Sequence, residues 1–204
     1  MMIGYASRTG TRRNLDALRA AGWRLMVTPI SLRPEGMRYA LDNGAWAAHC
    51  SGHPWNADAF LRAVAKLGAQ ADFIVLPDIV GAGQASLRRS LTWLPFLLGS
   101  CGRLLIPVQD GLEPRDISHL IGQNIGIFVG GSTAWKLKTL GQWGQLAART
   151  QCYLHVGRVN TQRRIARCAA AGADSFDGTS VSRFAKTLPE LDPARRQGGL
   201  KLYA

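Results

Sequence analysis

Eight short apolar runs, rich in β-branched residues, recur along this chain, and stretches of helical periodicity separate most of them. The runs are Ile3–Ala6, Leu25–Thr28, Arg38–Leu41, Phe73–Leu76, Leu104–Val108, Ile125–Val129, Cys152–Val156 and Ala173–Phe176. Each has the length of a fully buried strand. Helices are expected over Arg12–Ala21, Ala57–Leu67, Gln84–Leu98, Pro114–Ile121, Thr133–Ala148 and Thr161–Ala171. Their ends carry matching signals. Asn56 is a suitable N-cap, Pro114 opens a helix where its missing N–H does no harm, and Gly172 closes one. Pro95 should bend or end the third helix. The stretch from Pro29 to Gly36 holds two prolines and reads as a loop, with no helix between the second and third strands.

Strand, helix, strand in this order builds a parallel sheet, and eight such strands close into a barrel. At 204 residues the expectation is one domain, an α/β protein folded as a compact (β/α)8 TIM-like barrel with brief helices and one degenerate crossover. A doubly wound open sheet is the alternative. That fold gathers polar residues at a switch point, whereas here they follow nearly every strand. The barrel is expected over residues 1–187 and a basic C-terminal tail over 188–204, ordered only in part or only on a partner. The tail carries Pro189, Pro193 and the run Arg195-Arg196-Gln197-Gly198-Gly199.

The strand ends carry the chemistry. In order they read Asp42-Asn43-Gly44, Pro77-Asp78, Gln109-Asp110-Gly111, Gly130-Gly131-Ser132, His155-Val156-Gly157-Arg158 and Phe176-Asp177-Gly178. Polar groups at successive C-terminal strand ends share one mouth of a barrel, which is where barrel enzymes place their active sites. Carboxylates in such a mouth can act as nucleophile, acid or base. Asp177, at the end of the last strand, is the leading candidate for nucleophile, and Asp174 competes with it.

Charge narrows the partner. Lys and Arg number 25 against 13 Asp and Glu, a net charge of +12. A polyanion such as nucleic acid fits this balance. The cations are spread along the chain, from Arg8, Arg12 and Arg13 through Arg88, Arg89, Lys136, Lys138, Arg163 and Arg164 to Arg195 and Arg196. No apolar run reaches the ~18 residues of a membrane span, and the start does not read as a signal peptide. Cys50, Cys101, Cys152 and Cys168 lie far apart with no zinc-site spacing. A reduced, cytoplasmic protein without a metal or other cofactor is expected.

Taken together and in order, these motifs resemble those of the tRNA-guanine transglycosylase superfamily, and most of all its compact phage branch that inserts 7-deazaguanine bases into DNA. The similarity runs from about Tyr39 to Arg183. The resemblance implies base exchange through a covalent aspartyl-sugar intermediate. It makes Asp177 the nucleophile and Asp42 the proton-shuttling carboxylate. It also makes Asp78, Asn43, Gln109, Gly130, Gly131 and His155 the residues around the base. A phage-encoded protein of this kind would work in the host cytoplasm and help its DNA escape restriction. The tRNA enzymes carry a Cys-x-Cys-x-x-Cys zinc element after the nucleophile, and no such spacing follows Asp177 here. Two positions depart from the pattern: Ala45 stands for a motif glycine, and Asp110 for another.

The chemistry asks for these groups in its own right. Breaking an N-glycosidic bond needs a carboxylate to attack C1′ and a second one to protonate the leaving base. DNA adds phosphates to hold and a base to flip out of the stack. Arg8, Lys136, Arg158, Arg163 and Arg183 lie on or near strand-end loops and are the expected phosphate contacts. Trp46 and Trp135 are candidates for stacking on a base or filling the gap in the strand. Each residue also has a plainer reading. Asp42 and Asp78 can serve turns, Gly130-Gly131-Ser132 can cradle the phosphate of a sugar phosphate, His155 can orient its neighbours, and both tryptophans can be packing. A tRNA-acting transglycosylase, a phosphosugar-metabolising barrel and a non-catalytic nucleic-acid-binding barrel are the other function classes.

Overall fold

Buried on both faces, the eight apolar runs form parallel strands that pair in chain order, and the last pairs back with the first to close a barrel. The computed structural model describes residues 1–8, 11–183 and 185–196. The strands are β1 (Ile3–Ser7), β2 (Arg24–Val27), β3 (Tyr39–Leu41), β4 (Ile74–Val75), β5 (Leu104–Val108), β6 (Ile125–Val129), β7 (Leu154–Val156) and β8 (Ser175–Gly178). The helices are α1 (Arg12–Ala20), α2 (Ala45–Ser51), α3 (Ala57–Leu67), α4 (Gly83–Leu97), α5 (Pro114–Ile117), α6 (Thr133–Thr150), α7 (Gln162–Ala170), α8 (Ser180–Arg183) and α9 (Leu188–Arg196). The open-sheet alternative is thereby excluded.

Side-chain alternation along each strand sorts the core into two. Tyr5, Met26, Ala40, Phe73, Val75 and Leu105 fill the barrel interior, with Ile3, Phe128 and Tyr153 against them. Leu25, Val27, Leu41, Ile74, Leu76, Ile106, Val108, Ile127, Val129 and Phe176 point outward into a larger core beneath the helices. Aromatic rings do much of the filling inside. Tyr5 and Phe73 meet edge to face at 5.3 Å. The interior is therefore packed, and in this architecture chemistry belongs at the C-terminal ends of the strands.

Several expectations shift. The helix α2 was not expected; it is an alanine-rich segment between Gly44 and Gly52 that follows β3 directly. The helix predicted over Pro114–Ile121 stops at Ile117. Pro95 sits inside α4, which ends two residues later at Leu97. Eight of the tail's residues, 197–204, lie outside the described part. Leu188–Arg196, however, form a helix packed on α7, and Arg195 is buried rather than solvated. Its guanidinium donates to the Ala21 carbonyl at 2.7 Å and to Asp192 at 2.7 Å. Asp192 in turn accepts from the Trp23 indole at 2.8 Å. Pro193, inside this helix, disfavours it locally, so tertiary contacts hold it in place.

One glycine is fixed by close approach. The helix α6 passes so close to the C-terminal end of α7 that a methyl on Gly144 would overlap the Ala171 carbonyl. Gly144→Ala is expected to destabilise the protein by about 1–3 kcal/mol, the usual range for overpacking. Urea unfolding, with a lower midpoint and an unchanged slope, measures it.

Candidate active site

Three carboxylates reach the C-terminal mouth, two from the neighbouring strands β3 and β4 and one from β8. Asp42 follows β3, Asp78 follows β4 after the buried Leu76-Pro77, and Asp177 lies in the last turn of β8, opposite Tyr5 of β1. Each is half-buried. Their environments differ.

Asp42 accepts from the Gly44 N–H at 3.1 Å. Its carboxyl is nevertheless pushed up to about 7, first by burial and then by the negative charge of Asp177, with Asp78 adding to it. Asp42 is thus poised to give or take a proton near neutrality. Asp78 is raised to about 6, again by burial, against the donors that hold it.

Those donors are the residues around the base that the resemblance named. The Asn43 amide donates to Asp78 at 2.8 Å and to the Leu76 carbonyl at 2.6 Å, while its oxygen accepts from the Ala45 N–H at 2.7 Å. The Gln109 amide donates to Asp78 and, at 3.0 Å, contacts the Ser86 hydroxyl; its oxygen accepts from the Gly81 N–H. Gln109 is 3% exposed and Asn43 2%. Both amides are filled by protein partners in this conformation, so they aim Asp78 and offer no spare group to a base. Gln109→Leu removes one donor to Asp78 and strands the Gly81 N–H. A loss of about 1–3 kcal/mol in urea unfolding is expected, the range for an unpaired buried polar group.

Asp177 is held on both oxygens. One accepts from His155 Nε2 at 3.0 Å, the other from the Arg158 backbone N–H at 3.2 Å. A carboxylate can only accept, so Nε2 carries the proton. In a neutral ring Nδ1 then accepts from the Ser175 hydroxyl, 2.8 Å away. His155 is fully buried, stacked on Phe128 with centroids 4.8 Å apart. It lies behind Asp177 and orients it, out of reach of a ligand in the mouth. Asp174 is three residues earlier, at the opposite end of the strand, where its carboxylate accepts from the Leu154 N–H at 2.8 Å. It does not share the mouth.

The loop after β6 is also engaged. Gly131 has a φ of +70°, and a side chain there would strike Asp110 and Trp135. Asp110 accepts from the Ser132 N–H at 2.7 Å and the Ser132 hydroxyl at 2.6 Å. Burial pushes the Asp110 carboxyl up, but the Ser132 donors and Arg158 outweigh it and hold it below the usual carboxylate range. A carboxylate therefore already fills the turn at Gly130-Gly131-Ser132. This speaks against the phosphate cradle that the phosphosugar reading requires. Gly130 sits just after β6, where a methyl would rest in ordinary contact with Val108, Gln109 and Phe128.

The expected phosphate contacts divide. Arg163, near the start of α7, and Arg183, at the end of α8, are exposed on the C-terminal rim. Arg8 is there too, paired with Glu35 at 2.8 Å. Lys136 does not fit the expectation. It is 5% exposed, donates to the Gly157 carbonyl, and is lowered to about 8 by burial and by Arg158, with Asp177 opposing. Lys136 is a buried counter-charge beneath the site. Arg158 bridges the mouth instead. Its guanidinium donates to the Gly131 carbonyl and lies 4.1 Å from the centre of the Trp46 ring. Its backbone takes a φ of +58°, a strained value for arginine. Trp46 is 45% exposed. Trp135 packs towards Trp143 at 6.0 Å and belongs to the edge of the core.

No family model matches the chain, and no curated protein matches it. Among solved structures, two of tryptophan synthase from M. tuberculosis are similar in fold. An open form with a ligand bound has a TM-score of 0.51 at 15% identity, covering 97% of this chain and 88% of that one. A ligand-free form of a mutant has a TM-score of 0.50 at 17% identity, covering 97% and 89%. At these identities the likeness is one of the barrel alone. No helix among the described residues is long and apolar enough to cross a membrane.

Proposed function

We propose that this protein is a DNA-guanine transglycosylase, which exchanges a guanine in DNA for a 7-deazaguanine such as 7-cyano-7-deazaguanine. The observation that carries the reading is the meeting of Asp42, Asp78 and Asp177 in one barrel mouth with different surroundings. A pair of carboxylates, one of them poised to hold a proton near neutrality as Asp42 is, is what glycosyl transfer with retention needs. The similar solved structures are enzymes on the same barrel, and chemistry at the C-terminal mouth is the rule for this architecture.

In the first half-reaction an Asp177 oxygen attacks C1′ of the deoxyribose. The N-glycosidic bond breaks, its electron pair leaves on the guanine N9, and Asp42 supplies the proton. The sugar is then held as an ester of Asp177. In the second half, Asp42 takes the N9 proton of the incoming base. The base attacks C1′ and releases Asp177. Asp78, aimed by Asn43 and Gln109, accepts from the N1–H and 2-amino group that both bases share. His155 and the Arg158 N–H keep Asp177 facing C1′. The exposed cations Arg163 and Arg183, with Arg8, meet phosphates around the target.

Incubation of guanine-containing DNA with 7-cyano-7-deazaguanine, nuclease digestion and nucleoside mass spectrometry test the reading. The modified deoxynucleoside is the expected product. Labelling of tRNA and not DNA moves the protein to the tRNA branch, and silence on both rejects base exchange.

A further inference from the structure

The loop after β2 begins with a tight turn. Thr28 and Ser31 pair across it, and the Ser31 N–H donates to the Thr28 carbonyl at 2.9 Å. Pro29 rests on the Asp42 loop, so close that a methyl on Gly44 would lie 3.1 Å from its ring. Ile30, at the tip, is 81% exposed. The next two strand ends also display apolar side chains, Trp46 after β3 and Ile79 after β4, the latter 39% exposed. β2, β3 and β4 are neighbours in the barrel. One arc of the rim is therefore apolar, beside Asp42 and Asp78. Exposed cations flank it: Arg12 and Arg13 at the start of α1, and Arg33 three residues past Ile30.

An isoleucine held on a braced turn among cations has the form of the apolar wedges that proteins push between base pairs. A flipped guanine leaves a gap in the stack, and closing that gap offsets part of the unstacking. We infer that the Pro29–Ile30 turn enters duplex DNA at the position vacated by the target guanine, and that the protein acts on double-stranded DNA. This rests on the proposed base exchange. The surrounding arginines supply the phosphate contacts, and the turn supplies the unstacking.

The test uses a DNA duplex with 2-aminopurine beside the target guanine, whose fluorescence rises when it unstacks. Wild-type protein is expected to raise the signal. Ile30→Ser, a surface change that leaves folding intact, is expected to lose at least about five-fold of it, with affinity measured by anisotropy changed less than about three-fold because phosphate contacts dominate binding. Base exchange on the duplex should fall about ten-fold and exchange on the same sequence as a single strand should stay within two-fold. If the fluorescence loss occurs but neither DNA is ever modified, the wedge stands and the exchange reaction falls. If exchange proceeds and Ile30→Ser matches wild type on the duplex, the wedge falls and the reaction stands. A signal from an RNA duplex alone also overturns the inference.

Discussion

Asp177→Ala, and equally Asp177→Asn, is expected to lower base exchange by at least about 10³-fold while leaving DNA binding within a few-fold of wild type. The loss corresponds to about 4 kcal/mol of transition-state stabilisation. Neither variant can form the ester with C1′, so the reaction loses its two-step path. The asparagine variant is the sharper test. Its single oxygen can still accept from either His155 or the Arg158 N–H, so it keeps one of the two hydrogen bonds and nearly the same shape. Binding is expected to survive because the proposed phosphate contacts are the exposed arginines of the rim and not the residues of the mouth. Both quantities come from one set of titrations and single-turnover assays. An Asp177→Asn protein that exchanges base at the wild-type rate removes the nucleophile from the mechanism.

Asp42→Asn is expected to slow guanine release by about 10²–10⁴-fold, the usual contribution of a general acid. The wild-type rate of release should fall as pH rises through about 7, because the carboxyl that donates the proton loses it there. The same group makes stability fall with rising pH as well. Its proton affinity is higher in the folded chain than in the unfolded one, where about 3.9 is normal. The folded state then binds the proton more tightly, so stability is full below about pH 4 and is lost as pH rises towards 7. Asparagine does not titrate. The variant should therefore melt a few degrees above wild type at pH 8, and the gap should shrink at pH 5. A gap that is the same at both pH values contradicts the account of Asp42. Gain of stability with loss of activity is the mark of a group kept in an unfavourable place for its chemistry.

The barrel was legible because strands buried on both faces must be apolar throughout, and runs such as Leu104–Val108 and Ile125–Val129 announce themselves. The placement of Asp42, Asp78 and Asp177 followed from the same pattern, since the first polar residue after such a run lies at the mouth. What lay beyond reach depended on neighbours distant in the chain. Asn43 and Gln109 meet on Asp78 only because β3, β4 and β5 are adjacent. Lys136 lies by sequence in the first turn of a helix next to a rim loop, yet α6 turns it inward to the Gly157 carbonyl. Asp110 looked like an added carboxylate and proves to tie down Ser132. Arg195 sits in a proline-containing, basic segment, and its burial depends on carbonyls and carboxylates it meets across the fold. The helix α2 did leave a signal, an alanine-rich run between two glycines. Its brevity hid it.

The nucleophile can be seen directly. Protein mixed with guanine-containing DNA, without the incoming base, is quenched in detergent during turnover and separated from unbound DNA. Protease and nuclease digestion followed by mass spectrometry then locates any attached sugar. The account predicts a covalent protein–DNA species whose deoxyribose is carried by the peptide containing Asp177, and its disappearance when 7-cyano-7-deazaguanine is added as acceptor. A sugar carried by a peptide containing Asp42 or Asp78 instead, or base exchange with no covalent species at any time point, would contradict it.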